Sequence, residues 1–283
     1  MQLDLATVLA QWATGGLFFC WVTTRRREVG IGYGWLLRVT FGVMAVLSVV
    51  SGAGDSGTGA TIRNVFTAVM ALAAGIALVQ SYVRRAAGVR GQREVRAKRA
   101  ARVASMTGDT RVDDGTHELP EFDPRLDLLA PVAGVVALFG AASFVGGDYA
   151  LSLARLQVGA FFLGAVSDAM LLGHWYLVQP GLGREPIREL VRAVAALWPF
   201  EVIVYLLPVG MVSVLNGTVE DGYSGLMGWM WVVATVTTIG LVIATWFALK
   251  ERSYSAVMAA TGLLYLAILT GFGMDLLPRA LLG

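Results

Sequence analysis

Residues 153–178 read LARLQVGAFFLGAVSDAMLLGHWYLV, and this stretch decides the class of the protein. At about 1.5 Å per residue, a helix of this length crosses an apolar bilayer core of about 30 Å. Its Asp, Glu, Lys, Arg and His residues are Arg155, Asp168 and His174. The stretch therefore predicts a membrane-spanning helix with a carboxylate near its middle.

Seven more apolar stretches accompany this one. Strands would leave backbone polar groups unpaired in lipid, and the residue alternation of a membrane β-barrel is absent. Of the 283 residues 56% are hydrophobic and 15% are charged, whereas roughly 25% are charged in a soluble domain. We therefore expect an all-α bundle of eight transmembrane helices, and an ordinary water-soluble enzyme is excluded. The other stretches lie near 5–23, 34–51, 62–83, 128–146, 190–214, 226–249 and 254–274.

The distribution of arginine and lysine predicts the orientation, because cytoplasmic loops carry an excess of both. With the N-terminus outside, 19 of the 22 basic residues fall on the cytoplasmic side, and the C-terminus also lies outside. Asp4 precedes the first apolar run and Arg25–Arg27 follow it, which is the charge order of an uncleaved anchor rather than of a signal peptide. The composition, rich in arginine, alanine and glycine, indicates a bacterial protein. We expect a multi-pass protein of the bacterial cytoplasmic (inner) membrane.

One large loop divides the chain into three helices at 1–83, a cytoplasmic segment at 84–127 and five helices at 128–283. The first half of the loop predicts a basic helix and the second half an acidic coil. We expect the basic half to bind anionic lipid headgroups, at about 1 kcal/mol per basic residue; the alternative is that it only determines the topology. Nucleic acid is not expected, because no aromatic residues are interleaved. The basic residues are Arg84, Arg85, Arg90, Arg93, Arg96, Lys98, Arg99 and Arg102.

A short internal similarity points to a duplication. Residues 16–19 read GLFF and residues 159–162 read GAFF, and both lie in helices predicted to cross from outside to inside. A duplication of four helices would make the bundle a parallel repeat of four plus four. Sites in such proteins lie at the interface between the halves.

Two carboxylates, Asp168 and Glu201, are predicted to lie near the bilayer centre on consecutive antiparallel helices, where they could face each other. Ionisable groups at this depth are costly and usually face a cavity or the interior of a bundle. A buried carboxyl group can exchange protons in a relay, or it can simply bond a neighbouring helix. Trp198 and Tyr205 share the helical face of Glu201, and nearby prolines predict a kink. The sequence leaves both roles open.

Two further polar residues are predicted near the cytoplasmic ends of their helices. His174, next to Trp175, could donate a hydrogen bond to a quinone carbonyl or a lipid headgroup, or could anchor the helix at the interface. Arg38 is expected to extend its charged group to the membrane surface.

The chain contains no self-contained catalytic motif, so whether it is an enzyme stays open. One cysteine and two histidines exclude a multi-cysteine metal site and leave little room for haem, so no metal-ligated or covalent cofactor is expected. The expected function is that of a membrane subunit in a respiratory or redox complex, which binds quinone or conducts protons and anchors partner subunits. The alternatives are a secondary transporter or channel for a small solute, and a membrane assembly or scaffold protein.

Overall fold

The computed structural model describes residues 3–85, 101, 105, 122–179 and 182–282. Within these ranges the chain forms helices and their connections, and a 3₁₀ turn at Pro124–Leu128 leads into the fourth helix. The helices are α1 (Leu5–Thr24), α2 (Ile31–Ser51), α3 (Thr58–Val83), α4 (Leu129–Phe144), α5 (Tyr149–Val178), α6 (Glu185–Leu206), α7 (Gly210–Leu215), α8 (Leu226–Ala248) and α9 (Tyr254–Leu281).

Seven of the described helices are long and apolar enough to cross a membrane: α1, α2, α3, α4 with its leading turn, α5, α8 and α9. The predicted all-helical, multi-pass membrane protein is therefore confirmed at this level. Helix α6 has 22 residues, but its first two turns carry Glu185, Arg188, Glu189 and Arg192. Because of these charges α6 is less apolar than the other long helices and is not among the seven. Seven of the eight predicted spans are therefore supported.

The sixth predicted span, at 190–214, is interrupted in the structure. Helix α6 ends at Leu206 and the short helix α7 begins at Gly210. Pro208 lies between them and has no backbone N–H to continue the helix. Gly210 has a φ of 37°, and a Cβ atom there would lie 2.0 Å from the backbone oxygen of Tyr205. Pro208 therefore ends the helix instead of only bending it, whereas Pro199 lies inside α6.

The last helix is longer than the sequence predicts. The predicted span ends at 274, whereas α9 continues to Leu281 and encloses Asp275 and Arg279, which are 0% and 2% exposed. The two residues are four positions apart and therefore share one face of the helix. Arg279 Nη2 lies 2.8 Å from Asp275 Oδ1. This pairing compensates both charges inside the helix bundle.

Helices α1 and α5 are the two most buried of the membrane-spanning helices, and they touch backbone to backbone. A Cβ atom on Gly15 would lie 1.7 Å from the carbonyl oxygen of Ala160, and one on Gly164 would lie 2.2 Å from the carbonyl carbon of Gly15. Small residues allow helices in membranes to approach this closely. Next to this contact, the rings of Phe18 and Phe161 meet edge to face at 5.0 Å.

The Gly15→Ala variant tests this contact. We expect a large loss of thermal stability in detergent, because the added methyl group can be accommodated only if α1 and α5 move apart. Gly75→Ala in α3 is the matched control, because a Cβ atom there meets nothing within 4 Å. The control should be neutral or more stable, since alanine favours the helix over glycine by about 1 kcal/mol. Equal melting temperatures for the two variants would contradict the packing.

Arg38 is buried in an ion pair, and the prediction that it extends to the membrane surface is wrong. Its side chain is 2% exposed and its guanidinium binds both carboxylate oxygens of Asp127 at 2.7 Å. Ser81 Oγ accepts a further bond at 3.2 Å, and Thr24 donates to Asp127 at 3.0 Å. Asp127 comes from the turn before α4, so the pair joins four elements at what we call the Arg38 end of the bundle.

Arg63 occupies the equivalent position at the opposite end, which we call the Arg63 end. It is fully buried, donates to Asp4 Oδ2 at 2.6 Å and to Thr7 Oγ1 at 3.2 Å, and pairs with Asp55. Its guanidinium carbon lies 4.9 Å from the centre of the Phe144 ring. Helices α1, α3 and α4 and the α2–α3 turn therefore meet at this arginine.

The Asp127→Ala variant tests the pair at the Arg38 end. It leaves a buried guanidinium without its counter-ion, and removing one partner of a buried pair typically costs about 3–5 kcal/mol in the free energy of unfolding. The double variant Arg38→Met with Asp127→Ala should recover part of this loss. The exposed pair Arg192–Glu185 provides the control, because Arg192→Ala should cost only about 0–1 kcal/mol. A loss for Asp127→Ala as small as the control's would contradict a buried pair.

Candidate functional site

A cluster of polar side chains lies inside the bundle where α1, α5, α6 and α9 meet. Each of its five members is at most 2% exposed. They come from three helices, and all lie nearer the Arg63 end than the Arg38 end. We call this group the Asp275 cluster, and its members are Gln11, Glu201, Tyr205, Asp275 and Arg279.

Asp275 is the centre of the cluster, and one of its oxygens accepts three hydrogen bonds. Oδ1 accepts from Arg279 Nη2 at 2.8 Å, from the Tyr205 hydroxyl at 3.0 Å and from Gln11 Nε2 at 3.4 Å. Arg279 Nε also donates to the Tyr205 oxygen at 3.1 Å. These bonds tie the end of α9 to α6 and α1.

Glu201 lies beside Asp275 and within the field of Arg279. It precedes Tyr205 by one helical turn, so both point to the same side of α6. The side chain is fully buried, and neither carboxyl oxygen has a hydrogen-bond partner in the described part of the chain. Glu201 therefore accepts no hydrogen bond from the N–H and O–H donors of the cluster, but its carboxyl group lies within hydrogen-bonding reach of the carboxyl group of Asp275 when one of the two is protonated.

A glycine on α5 makes room for this arrangement. A Cβ atom on Gly159 would lie 2.2 Å from Gln11 Nε2 and 2.5 Å from Asp275 Oδ1. Any larger residue at this position would displace the two side chains. The close approach of α1 to α5 thus extends from Gly15 to the polar cluster.

Arg155 binds the broken end of α6 next to the cluster. Its Nε donates to the carbonyl of Val204 at 2.9 Å and its Nη2 to the carbonyl of Leu207 at 2.8 Å. The last carbonyls of a helix lack hydrogen-bond donors within the helix. Arg155 donates to two carbonyls at this helix end. Its guanidinium carbon lies 5.5 Å from the Tyr205 ring, so the same arginine contacts the cluster.

The donors of this region are engaged, whereas several acceptors are not. Arg279, Tyr205, Gln11 and Arg155 all donate to oxygen atoms. Four buried oxygens lack a hydrogen-bond partner among the described residues: Gln11 Oε1, Asp275 Oδ2 and the two of Glu201. An unpaired buried acceptor costs about 1–3 kcal/mol. The site is therefore suited to bind a proton, because a protonated carboxyl group would supply an O–H donor to the oxygens that lack one.

The Arg155→Gln variant tests the cap of the broken helix. It removes the planar guanidinium that reaches both Val204 and Leu207, so the backbone at the end of α6 should open more often. We expect faster amide hydrogen exchange from Tyr205 through α7, measured by mass spectrometry in detergent. Arg192→Gln, at the exposed start of α6, should leave this exchange unchanged. Identical exchange in both variants would show that Arg155 does not hold the break.

Asp168 and Glu201 are not brought together. Both are fully buried, but the charge of Asp168 acts on Cys20 and Tyr33, whereas Glu201 faces Asp275. The two carboxyl groups thus point to different neighbours, although α5 and α6 pack against each other. Their predicted roles in proton relay or ligand binding stay predictions.

The two aromatic candidates of α6 have different surroundings. Tyr205 belongs to the Asp275 cluster, through its bonds to Asp275 and Arg279. Trp198 is only partly buried, and its indole N–H donates to the backbone oxygen of Thr235 in α8 at 3.0 Å. Trp198 therefore joins two helices and lies apart from the cluster.

His174 and Trp175 lie near the Arg38 end of α5. His174 is exposed, and its Nδ1 lies 3.3 Å from the Tyr265 hydroxyl of α9. Trp175 donates to Gln179 Oε1 at 3.0 Å, and its ring centre lies 5.9 Å from that of Tyr33. His174 thus belongs to the outer surface of the bundle and Trp175 to a packed aromatic contact.

The predicted lipid-binding residues are described only at the end of α3. Arg84 follows this helix directly, and the guanidinium carbon of Arg85 lies 3.9 Å from the centre of the Tyr82 ring. The remaining members of the set lie outside the described residues: Arg90, Arg93, Arg96, Lys98, Arg99 and Arg102.

Sequence reasoning missed four residues of this region: Gln11, Arg155, Asp275 and Arg279. The signal for Asp275 and Arg279 was present, because the segment GFGMDLLPRALL at 271–282 stays apolar around an Asp and an Arg four residues apart. That spacing allows a pair within one helix. Gln11 and Arg155 carry no such local signal, since their partners belong to other helices.

No family model, curated protein or solved structure matches the chain. Its function must therefore be argued from the geometry of the Asp275 cluster.

Proposed function

We propose that the protein is a membrane transporter or channel whose small solute is the proton, with Glu201 and Asp275 as the proton-carrying groups. The observation that carries this proposal is the adjacency of two fully buried carboxyl groups, those of Glu201 and Asp275, which lie close enough to share a proton. Neither Glu201 oxygen accepts a bond from an N–H or O–H donor of the described residues. Ionisable residues inside membrane bundles mark proton and ion pathways in many proteins.

The break between α6 and α7 supports transport in particular. Non-helical backbone at membrane depth is tolerated where it lies within the protein or lines a cavity, and interrupted helices form the substrate sites of many transporters. Here the break begins after Leu206, one residue beyond Tyr205, and Arg155 donates to the carbonyls of Val204 and Leu207 at this helix end. Movement of Arg155 would therefore affect the helix end and the cluster together.

We further propose eight crossings, with α6 among them, and both termini outside a bacterial cytoplasmic membrane. Gln11 near the start of α1 meets Asp275 near the end of α9, which supports an even number of crossings between them. At about 1.5 Å per residue, α6 reaches about 33 Å. The excess of basic residues on one side supports the orientation.

The packing pattern supports a parallel repeat of four plus four helices, which we include in the proposal. Helix α1 packs on α2 and α4, and α3 packs on both α2 and α4; likewise α5 packs on α6 and α9, and α8 packs on both α6 and α9. The two sets meet through α1 and α5. Phe18 and Phe161, which are equivalent in the GLFF and GAFF segments, touch each other there. The Asp275 cluster lies at this interface, as expected for a repeat transporter.

A redox-complex subunit is the second candidate, and the position of His174 favours it. The imidazole and the Tyr265 hydroxyl form an exposed polar pair on α5 and α9, and such a pair could bond a quinone carbonyl at the lipid surface. Partner subunits would then hold the redox centres, and the same carboxyl groups would carry protons. Co-purification of chains with haem or iron–sulfur absorbance would favour this candidate over a transporter.

The decisive experiment is proton flux through the purified full-length protein. Vesicles of phosphatidylethanolamine and phosphatidylglycerol enclose a pH-sensitive dye, and a potassium gradient with valinomycin sets the membrane potential. We expect the wild type to carry protons and Glu201→Gln to fall to the level of protein-free vesicles, because glutamine keeps the size of the side chain but cannot release a proton at neutral pH.

Glu185→Gln is the matched control, since it changes an exposed carboxylate at the start of the same helix. It should retain the wild-type flux. If Glu201→Gln carries protons as fast as the wild type, the Asp275 cluster is not the proton-carrying site.

A further inference from the structure

Asp168 is a second buried carboxyl group without a partner. It lies on α5, nine residues beyond Gly159, and is therefore about 13 Å further along the helix toward the Arg38 end. It is 0% exposed, and neither of its carboxyl oxygens has a hydrogen-bond partner in the described part of the chain. Its position is separate from the Asp275 cluster.

The neighbours of Asp168 are polar, but they are bonded elsewhere. The Tyr33 hydroxyl donates to the backbone oxygen of Asp168 at 3.0 Å, not to its carboxyl group. The adjacent Ser167 donates to the carbonyl of Leu163 at 2.6 Å. Cys20 lies close enough to Asp168 and to the ion pair of the Arg38 end for the charges of both to act on it.

A purely structural role does not account for this carboxyl group. Buried polar groups in folded proteins are generally hydrogen-bonded, and a buried acceptor without a partner costs about 1–3 kcal/mol. A leucine of similar size would fill the same space without that cost. Among the described residues the Asp168 carboxyl group forms no hydrogen bond that offsets this cost, which is the pattern of a residue kept for its chemistry.

We infer that Asp168 is a second proton-binding group, which receives protons from the Asp275 cluster and passes them toward the Arg38 end. This inference rests on the proposed function. A proton that leaves one carboxyl group turns it into a carboxylate, crosses the intervening distance on water molecules, and binds the carboxylate of the next site, so that no electron is transferred. A single buried site near the Arg63 end cannot carry a proton across the whole thickness of the bundle. Asp168 lies between that site and the Arg38 end and shortens each transfer.

Polar groups continue from Asp168 to the Arg38 end. Tyr33 interacts with both Asp168 and Thr23, and the neighbouring Thr24 donates to Asp127 at 3.0 Å. Hydroxyl groups both donate and accept hydrogen bonds, so these side chains make the region between Asp168 and the Arg38 end polar. The ion pair of Arg38 and Asp127 ends the series.

The test combines proton flux with stability in the full-length protein. Asp168→Asn and Asp168→Leu should lose the potential-driven flux of the dye-loaded vesicles described above. Their thermal stability in detergent should be unchanged or higher, because both substitutions remove a buried, unpaired carboxyl group. Asp168→Glu, which keeps the titratable group, should retain part of the flux. Asp148→Asn, at the exposed start of α5, should keep the wild-type flux.

The outcomes separate the two claims. If Asp168→Asn and Asp168→Leu carry wild-type flux while Glu201→Gln carries none, Asp168 is not on the route and the proposed function stands. If the Asp168 variants lose flux but Glu201→Gln does not, protons pass Asp168 without using the Asp275 cluster, and both the transfer between the two sites and the proposed role of Glu201 are overturned. A loss of flux together with a marked loss of stability in both Asp168 variants would show a structural role and overturn the inference.

Discussion

The backbone contact between α1 and α5 is the constraint on which the other features depend. Gly15 and Gly164 let these helices meet without intervening side chains, and the same approach continues at Gly159. Gln11 can then cross the interface to Asp275, and α9 and α6 pack around the same point. If α1 and α5 were further apart, the cluster would be lost even with all of its own residues unchanged.

Buried charge is the second constraint. Placing ions in an apolar interior costs several kcal/mol each unless they are paired and hydrogen-bonded. Arg38, Arg63 and Arg279 meet this condition, since each contacts at least one carboxylate. Glu201 and Asp168 do not, among the described residues. In the described part of the chain these three arginines are each paired with a carboxylate, whereas the carboxyl groups of Glu201 and Asp168 bind no arginine, which is why proton movement is the function that we propose.

The sequence predicts the helices well, because the thickness of a membrane demands long apolar runs that any reader of the chain can recognise. It predicts pairs of charges poorly. The last span was predicted to end just before Asp275, so the buried pair of Asp275 and Arg279 was missed. Arg38 was expected at the surface, because its partner Asp127 is 89 residues away in the chain. Tertiary packing determines which residues on different helices pair, and hydropathy contains no information about that packing.

The candidate site is recoverable from sequence only in part. Glu201 and Tyr205 stand out as polar residues on one face of a predicted span. Their partner was expected to be Asp168, because consecutive antiparallel helices place residues at equal depth. The rotation of each helix decides which neighbour a side chain meets, and here it turns Glu201 toward α9. Depth can be counted along a sequence, whereas rotation about the helix axis requires the packed structure.

The central claim is that Glu201 binds and releases a proton inside the bundle. Infrared difference spectroscopy of the full-length protein, recorded between acidic and alkaline buffer, observes this directly, because only a protonated carboxyl group gives a carboxylic C=O stretching band. We expect such a band to disappear at alkaline pH in the wild type and to be missing from Glu201→Gln. Identical difference spectra for the wild type and Glu201→Gln would contradict the claim.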